Sequence, residues 1–192
     1  MKYNELIKDF FERNISAVDI VYKIANNSDT GRIKLKEITE TYAIYKFILK
    51  TGLKKLKNIV CLDVGCGKYP YLSILLAHLI KSWELFAIDP QLAIRDYQTK
   101  RLNLVKDRVE NTYEKIKDRL SDPLVIICNH AHIYLKDLSS FFKDREVYYI
   151  TNPCCFDNIP PNVVGYFYRD TQILSPKNII YLAHFKKGQG QK

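Results

Sequence analysis

The sequence predicts an α/β fold: a mostly parallel sheet with helices on both faces, preceded by a helical extension. Three observations predict it. From residue 58 onward, short β-rich apolar runs alternate with helical segments, the pattern of a parallel sheet buried on both sides. The first of those runs ends in glycine-rich sequence and leads into a helix. Upstream of it, apolar residues recur at helical intervals instead.

Residues 1–56 form the predicted extension. LIKDFFERN and AVDIVYKIA carry helical spacing, and Asn26, Asn27, Ser28, Asp29 and Gly31 interrupt it. KEITETYAIYKFILKTGLKKL resumes the pattern and offers Ile38, Tyr42, Ile44, Tyr45, Ile48 and Leu49 for burial. Gly52 is placed to end or interrupt this helix. The sheet domain is predicted over 57–187. Its strands are expected at IVCLDV, ELFAID, LNLV, PLVIIC, EVYYIT, VVGYFY and NIIYLAHF, and its helices at LSILLAHLI, NTYEKIKDRL and LKDLSSFF. The last two strands suit an antiparallel edge. The tail 188–192, GQGQK, is read as frayed.

The chain has 192 residues, 47% of them hydrophobic and 27% charged, which suits one ordinary domain. The opening MKYNELIKDFFERN has no apolar signal core, and no apolar stretch reaches a membrane span. A cytoplasmic location, host cytoplasm if the source is viral, is the expectation. The five cysteines form no CxxC pair, so reduced thiols are expected and zinc is not. The net charge of +9 favours a polyanionic partner such as RNA. Abundant Lys, Asn, Ile and Tyr are also what an AT-rich genome produces. Lys54, Lys55 and Lys57 are candidate phosphate contacts or helix-end charges. Tyr22, Tyr42, Tyr45, Tyr69 and Tyr71 are candidate base-stacking groups or core residues. Composition says nothing of oligomeric state.

The segment Ile59–Pro70 carries the most chemistry: a buried strand, Asp63, then Gly65-Cys66-Gly67, then a helix. Glycines let the backbone turn sharply and approach a ligand. The helix N-terminus supplies free N–H groups. A dinucleotide turn would carry a third glycine and no carboxylate before the first, because a carboxylate repels phosphate. Asp63 suits the ammonium of a methionine moiety instead. Asp89 ends the next strand, 22 residues past Gly67, where a carboxylate accepts from ribose hydroxyls. Asp63, Gly65, Cys66, Gly67 and Asp89 together point to S-adenosyl-L-methionine (SAM) as cofactor. Asp107 after the third strand lies either beside the adenine or at the solvated start of a helix.

LDVGCGKYPYLSILLAHLI resembles motif I of class I SAM-dependent methyltransferases, whose fold is Rossmann-like. It is similar to the D-x-G-x-G-K-G-x-L-S form of the family containing tRNA acceptor-stem 2′-O-methyltransferases and related methyltransferase-like proteins. That family has a histidine-containing turn after the fourth strand and Pro-Cys-Cys after the fifth. The corresponding segments here are Cys128-Asn129-His130-Ala131-His132 and Asn152-Pro153-Cys154-Cys155-Phe156. The departures are Tyr69-Pro70 in place of the family's glycine, Asn-His-Ala-His in place of His-x-Cys-Gly, and the absence of the zinc modules. The resemblance implies a SAM-dependent methyltransferase acting on RNA. A binding subunit that keeps the fold without catalysis, and a protein or small-molecule methyltransferase, are the alternatives.

Methyl transfer needs nucleophile, methyl and sulfur held in line, plus a base for a weak nucleophile. Asn129 and His130 are the candidate catalytic residues at the fourth strand end. His132, Asn152, Pro153, Cys154 and Phe156 are the candidate substrate contacts. The Asn152–Phe156 segment stays open to three functional roles. It could be a rigid substrate-side loop, a box orienting an amine, or the site of a nucleophilic thiolate.

Overall fold

The computed structural model describes residues 12, 35–94, 99–131, 138, 143–153, 165–176 and 178–187. Seven strands form one sheet: β1 (Ile59–Val64), β2 (Trp83–Ile88), β3 (Leu102–Val105), β4 (Leu124–Asn129), β5 (Val147–Asn152), β6 (Gly165–Arg169) and β7 (Ile179–Phe185). Their spatial order is β3-β2-β1-β4-β5-β7-β6. The first five are mutually parallel, and β7 runs antiparallel to both β5 and β6. The expected antiparallel edge is therefore present, with β7 inserted beside β5 and β6 outermost.

The helices are α1 (Leu35–Lys50), α2 (Tyr71–Leu79) and α3 (Val109–Ile116). The expected helix at LKDLSSFF lies outside the described residues, except that Leu138 is helical. So do the residues of the N-terminal extension before 35, apart from Glu12. Among the described residues no helix is long and apolar enough to cross a membrane, and no group of three or more His, Cys, Asp or Glu could hold a metal ion.

Side-chain alternation divides the core. Ile59 and Cys61 of β1, Val125 and Ile127 of β4 and Ile150 of β5 pack with α1 and α2. Val60, Leu62 and Val64 pack on the other side with Val109 and Ile116 of α3. Every residue of β1 is buried, as a central strand covered on both faces requires. A strand alternates faces with a period of two. Asp63, Asn129 and Asn152 therefore all fall on the α1/α2 side.

α1 is buried without interruption from Ile38 to Tyr45, so Ile38, Tyr42, Ile44, Tyr45 and Ile48 are core residues as expected. Leu49 is not: it is 40% exposed, on the solvent side of the last turn. The helix ends at Lys50, and Gly52 takes a left-handed φ of 78°. Lys54, Lys55 and Lys57 are exposed, but they precede β1. Six residues of strand, about 20 Å, separate them from the glycine turn at its other end.

Candidate functional site

The glycine turn is stitched to the end of β2. Gly65 N–H donates to the Ile88 carbonyl at 2.9 Å, and Gly67 N–H donates to Asp89 Oδ2 at 2.9 Å. Gly65 and Gly67 have φ of 70° and 77°, a region where an L side chain costs roughly 1–2 kcal/mol. Asp89 Oδ1 accepts from Gln91 N–H at 2.7 Å. One carboxylate thus fixes both the turn and the loop after β2. An ionised carboxylate has about four acceptor sites, so two remain for a ligand. Ala93 N–H closes the loop onto the Lys68 carbonyl at 3.0 Å.

Two cavities meet over this turn. The first, about 400 Å³, lies between α1, the turn and the end of β4, and its walls include Glu40, Asp63, Gly67, Tyr69, Asn129 and His130. The second, about 460 Å³, lies beyond the ends of β2 and β3, against Ile88, Asp89, Asp107, Val109 and Ala131. Gly65, Gln91 and His130 border both.

Asp63 is the chemical centre of the first cavity. It is buried, and Ser73 Oγ of α2 donates to its Oδ2 at 2.6 Å. Its Oδ1 is buried with no partner among the described residues. Burial, with a smaller push from Asp89, raises its carboxyl to about 6 against the lowering by the Ser73 hydroxyl and N–H. A buried acceptor left open beside a cavity fits a cationic hydrogen-bond donor, because an unpaired buried polar group is costly.

Asp107 lines the second cavity, yet its carboxylate also accepts from Lys115 Nζ, Asn111 Nδ2 and Arg108 N–H, each at 2.8 Å. The Lys115 and Asn111 bonds hold it down at about 2. It is both a cavity wall and the polar anchor of the α3 start. Burial pushes the Cys61 and Cys66 thiols well up and that of Cys128 to about 12. All three described cysteines are therefore protonated near neutrality, and none is an activated nucleophile. Cys154, Cys155, Phe156 and His132 lie outside the described residues.

The acceptor-side candidates converge. Asn129 and Asn152 are register partners at the ends of β4 and β5. The backbone then turns at His130, whose φ of 56° is left-handed, and His130 N–H donates to the Asn152 carbonyl at 3.0 Å. Pro153, also buried, follows immediately. Asn129 Oδ1 and both amide atoms of Asn152 are buried without a partner among the described residues. Asn129 lines the first cavity, whereas Asn152 lines neither cavity.

Sequence reasoning missed Glu40. It is buried in the middle of α1, and its Oε1 lies 2.8 Å from His130 Nε2. It also missed the exposed aromatics. Tyr42, Tyr45 and Tyr71 are core residues rather than stacking groups, and Tyr69 is half-buried on the cavity wall. Tyr22 lies outside the described residues. Among the described residues the exposed large aromatics are Tyr166 and Phe167 of β6, 51% and 53% accessible. Tyr166 and Tyr168 stack on Phe47 of α1, and Lys50 Nζ sits 4.3 Å above the Tyr168 ring.

No protein-family model and no curated protein matches this sequence. Solved structures do match its fold. A point mutant of the nicotianamine synthase MtNAS, crystallised with SAM, superposes with a TM-score of 0.51 at 16% identity, over 94% of this chain and 76% of that one. MtNAS with MTA and tNA gives 0.51 at 17%, over 88% and 70%. An assigned ribosomal RNA methyltransferase of Plasmodium falciparum gives 0.49 at 13%, over 79% and 97%. The seven-stranded, mostly parallel sheet covered by helices on both faces is a Rossmann-like α/β fold, shared with MtNAS.

Proposed function

We propose that the chain binds SAM across the two cavities and transfers its methyl group to RNA. The observation that carries this reading is the buried, unpartnered Oδ1 of Asp63, a residue that lines the first cavity beside two left-handed glycines. The methionine end fits that cavity, with its ammonium on Asp63. The ribose fits the two remaining acceptor sites of Asp89, and the adenine fits the second cavity against Ile88, Asp107 and Ala131. Both SAM and MTA occupy the crystallised nicotianamine synthase of the same fold, which supports the choice of cofactor.

When bound, SAM supplies a methyl group activated by its sulfonium. The protein's task is then alignment and proton removal. His130 lies where the two cavities join and is the candidate base. Asn129 offers an unpaired Oδ1 at the first cavity to orient the acceptor, and Asn152 is its register partner on β5. The Asn152–Phe156 segment forms the substrate side, with Pro153, Cys154, Phe156 and His132 as its remaining candidate contacts. RNA as acceptor rests on the net charge of +9 and on the exposed aromatic edge of β6 flanked by Lys50 and Arg169. Bases stack on such rings, and phosphates meet such cations.

Incubation with methyl-labelled SAM and total RNA tests the reading. RNA labelling with release of S-adenosylhomocysteine is expected. SAM binding with no RNA label would redirect the substrate to protein or a small molecule. Release of methylthioadenosine would mean that the aminocarboxypropyl group is transferred instead of the methyl.

A further inference from the structure

We propose that Glu40 is the positioning residue for His130, fixing its tautomer so that Nδ1 carries the basic lone pair. This rests on the reading of His130 as the base, and it assigns a role to a helix outside the sheet. Glu40 is 1% exposed. A carboxylate taken that far from water is retained only when paired. Its partners are His130 Nε2 at 2.8 Å and Lys36 Nζ at 3.7 Å. The lysine side chain is 54% exposed and the distance is long. Lys preceding Glu by four residues is also the weaker orientation of a helical pair. The imidazole is therefore the close partner.

The bond is specific in its chemistry. An ionised carboxylate only accepts, so Nε2 must carry the hydrogen. In the neutral ring Nδ1 is then the unprotonated nitrogen, free to take a proton from an acceptor. Two further constraints hold the ring. The backbone of His130 is left-handed, and its N–H is tied to the Asn152 carbonyl. Imidazole orientation is thus set from both sides, by β5 through the backbone and by α1 through the side chain. Glu40 and His130 are 90 residues apart and both border the first cavity. The carboxylate of α1 thus reaches the reacting region through the ring and not by local helix pairing.

Two observations test this. Side-chain ¹⁵N NMR of the full chain, without cofactor, reads the tautomers of its four histidines, with His130 assigned by the His130→Ala variant. The Nε2–H form is expected for neutral His130 in the wild type, and a mixture of tautomers in Glu40→Gln, whose amide can either accept or donate. Finding the Nδ1–H form in the wild type would overturn the proposal, whether or not any variant folds. In parallel, Glu40→Gln should lower single-turnover labelling by clearly less than the roughly 10²-fold scale of losing the base outright, with SAM affinity nearly unchanged. A loss of SAM affinity that accounts for the whole loss of labelling would overturn it too, and would make Glu40 a cofactor contact. A wild type that binds no SAM would sink the methyltransferase reading alone, because the tautomer is read without cofactor.

Discussion

The two halves of the candidate site are built differently. The cofactor half, from β1 to β3, is closed on itself apart from the unpartnered Asp63 Oδ1. Gly65 and Gly67 are bonded to β2, and Asp89 ties two loops with one carboxylate. The acceptor half, at the ends of β4 and β5, is left open. Three buried amide atoms of Asn129 and Asn152 have no partner among the described residues, and His130 is held in a left-handed turn by groups from β5 and α1. A preorganised half suits a fixed cofactor. A half with unmet hydrogen bonds suits a substrate that completes it.

The sharpest way to break this contrast is Asp89→Ala. It removes the ribose acceptor and the Gly67 anchor together. Charge-assisted bonds contribute about 1.5–3 kcal/mol each, so SAM affinity should fall about 10³-fold by calorimetry while circular dichroism stays native. Unchanged affinity would separate the turn from the cofactor. His130→Ala probes the other half. Turnover should fall about 10²-fold, the scale of a lost general base, with SAM affinity nearly unchanged. An equal loss in both would show that the halves are not independent. Gly67→Val should weaken SAM by about tenfold. A Cβ at Gly67 would meet no atom within 4 Å, so the penalty is the left-handed backbone, roughly 1–2 kcal/mol. Cys66→Ser should do the least, since the thiol packs at the margin of the core and its hydrogen bond is to the neighbouring Gly67 carbonyl, at 3.7 Å. A larger effect of Cys66→Ser than of Gly67→Val would reverse the account of the turn.

The same contrast explains what the sequence could reveal. The cofactor half is local. Strand, carboxylate, glycines and helix lie within Ile59–Leu79, and alternation and turn chemistry point to each element. All seven strands were legible as apolar runs for the same reason. The acceptor half depends on distant pairs. Glu40 sits in KEITETY, where a charge reads as part of a solvated helix face; only the fold brings it to His130. On α1 periodicity named Ile38, Tyr42, Ile44, Tyr45 and Ile48 correctly and erred at Leu49, but a one-sided pattern could not show that burial from Ile38 to Tyr45 surrounds the helix. Conversely, VVGYFY is legible as one of two strands suited to an antiparallel edge, but not as the outermost one. It is exposed because β7 inserts beside β5 and leaves β6 at the edge, a matter of strand order that no local pattern encodes.

Asp63 is where the central claim meets a number. Its carboxyl is raised to about 6. The native state therefore holds that proton more tightly than the unfolded chain, whose Asp titrates near 3.9. The stability this gives is fully present below about pH 4 and is lost as pH rises through about 6. A bound ammonium reverses the preference by favouring the ionised form. Calorimetric titration with SAM at pH 6, repeated in buffers of different ionisation enthalpy, measures the consequence. The account predicts one site per chain and release of roughly half a proton on binding, abolished in Asp63→Asn. No binding at millimolar SAM, or binding whose heat is independent of buffer, would contradict it.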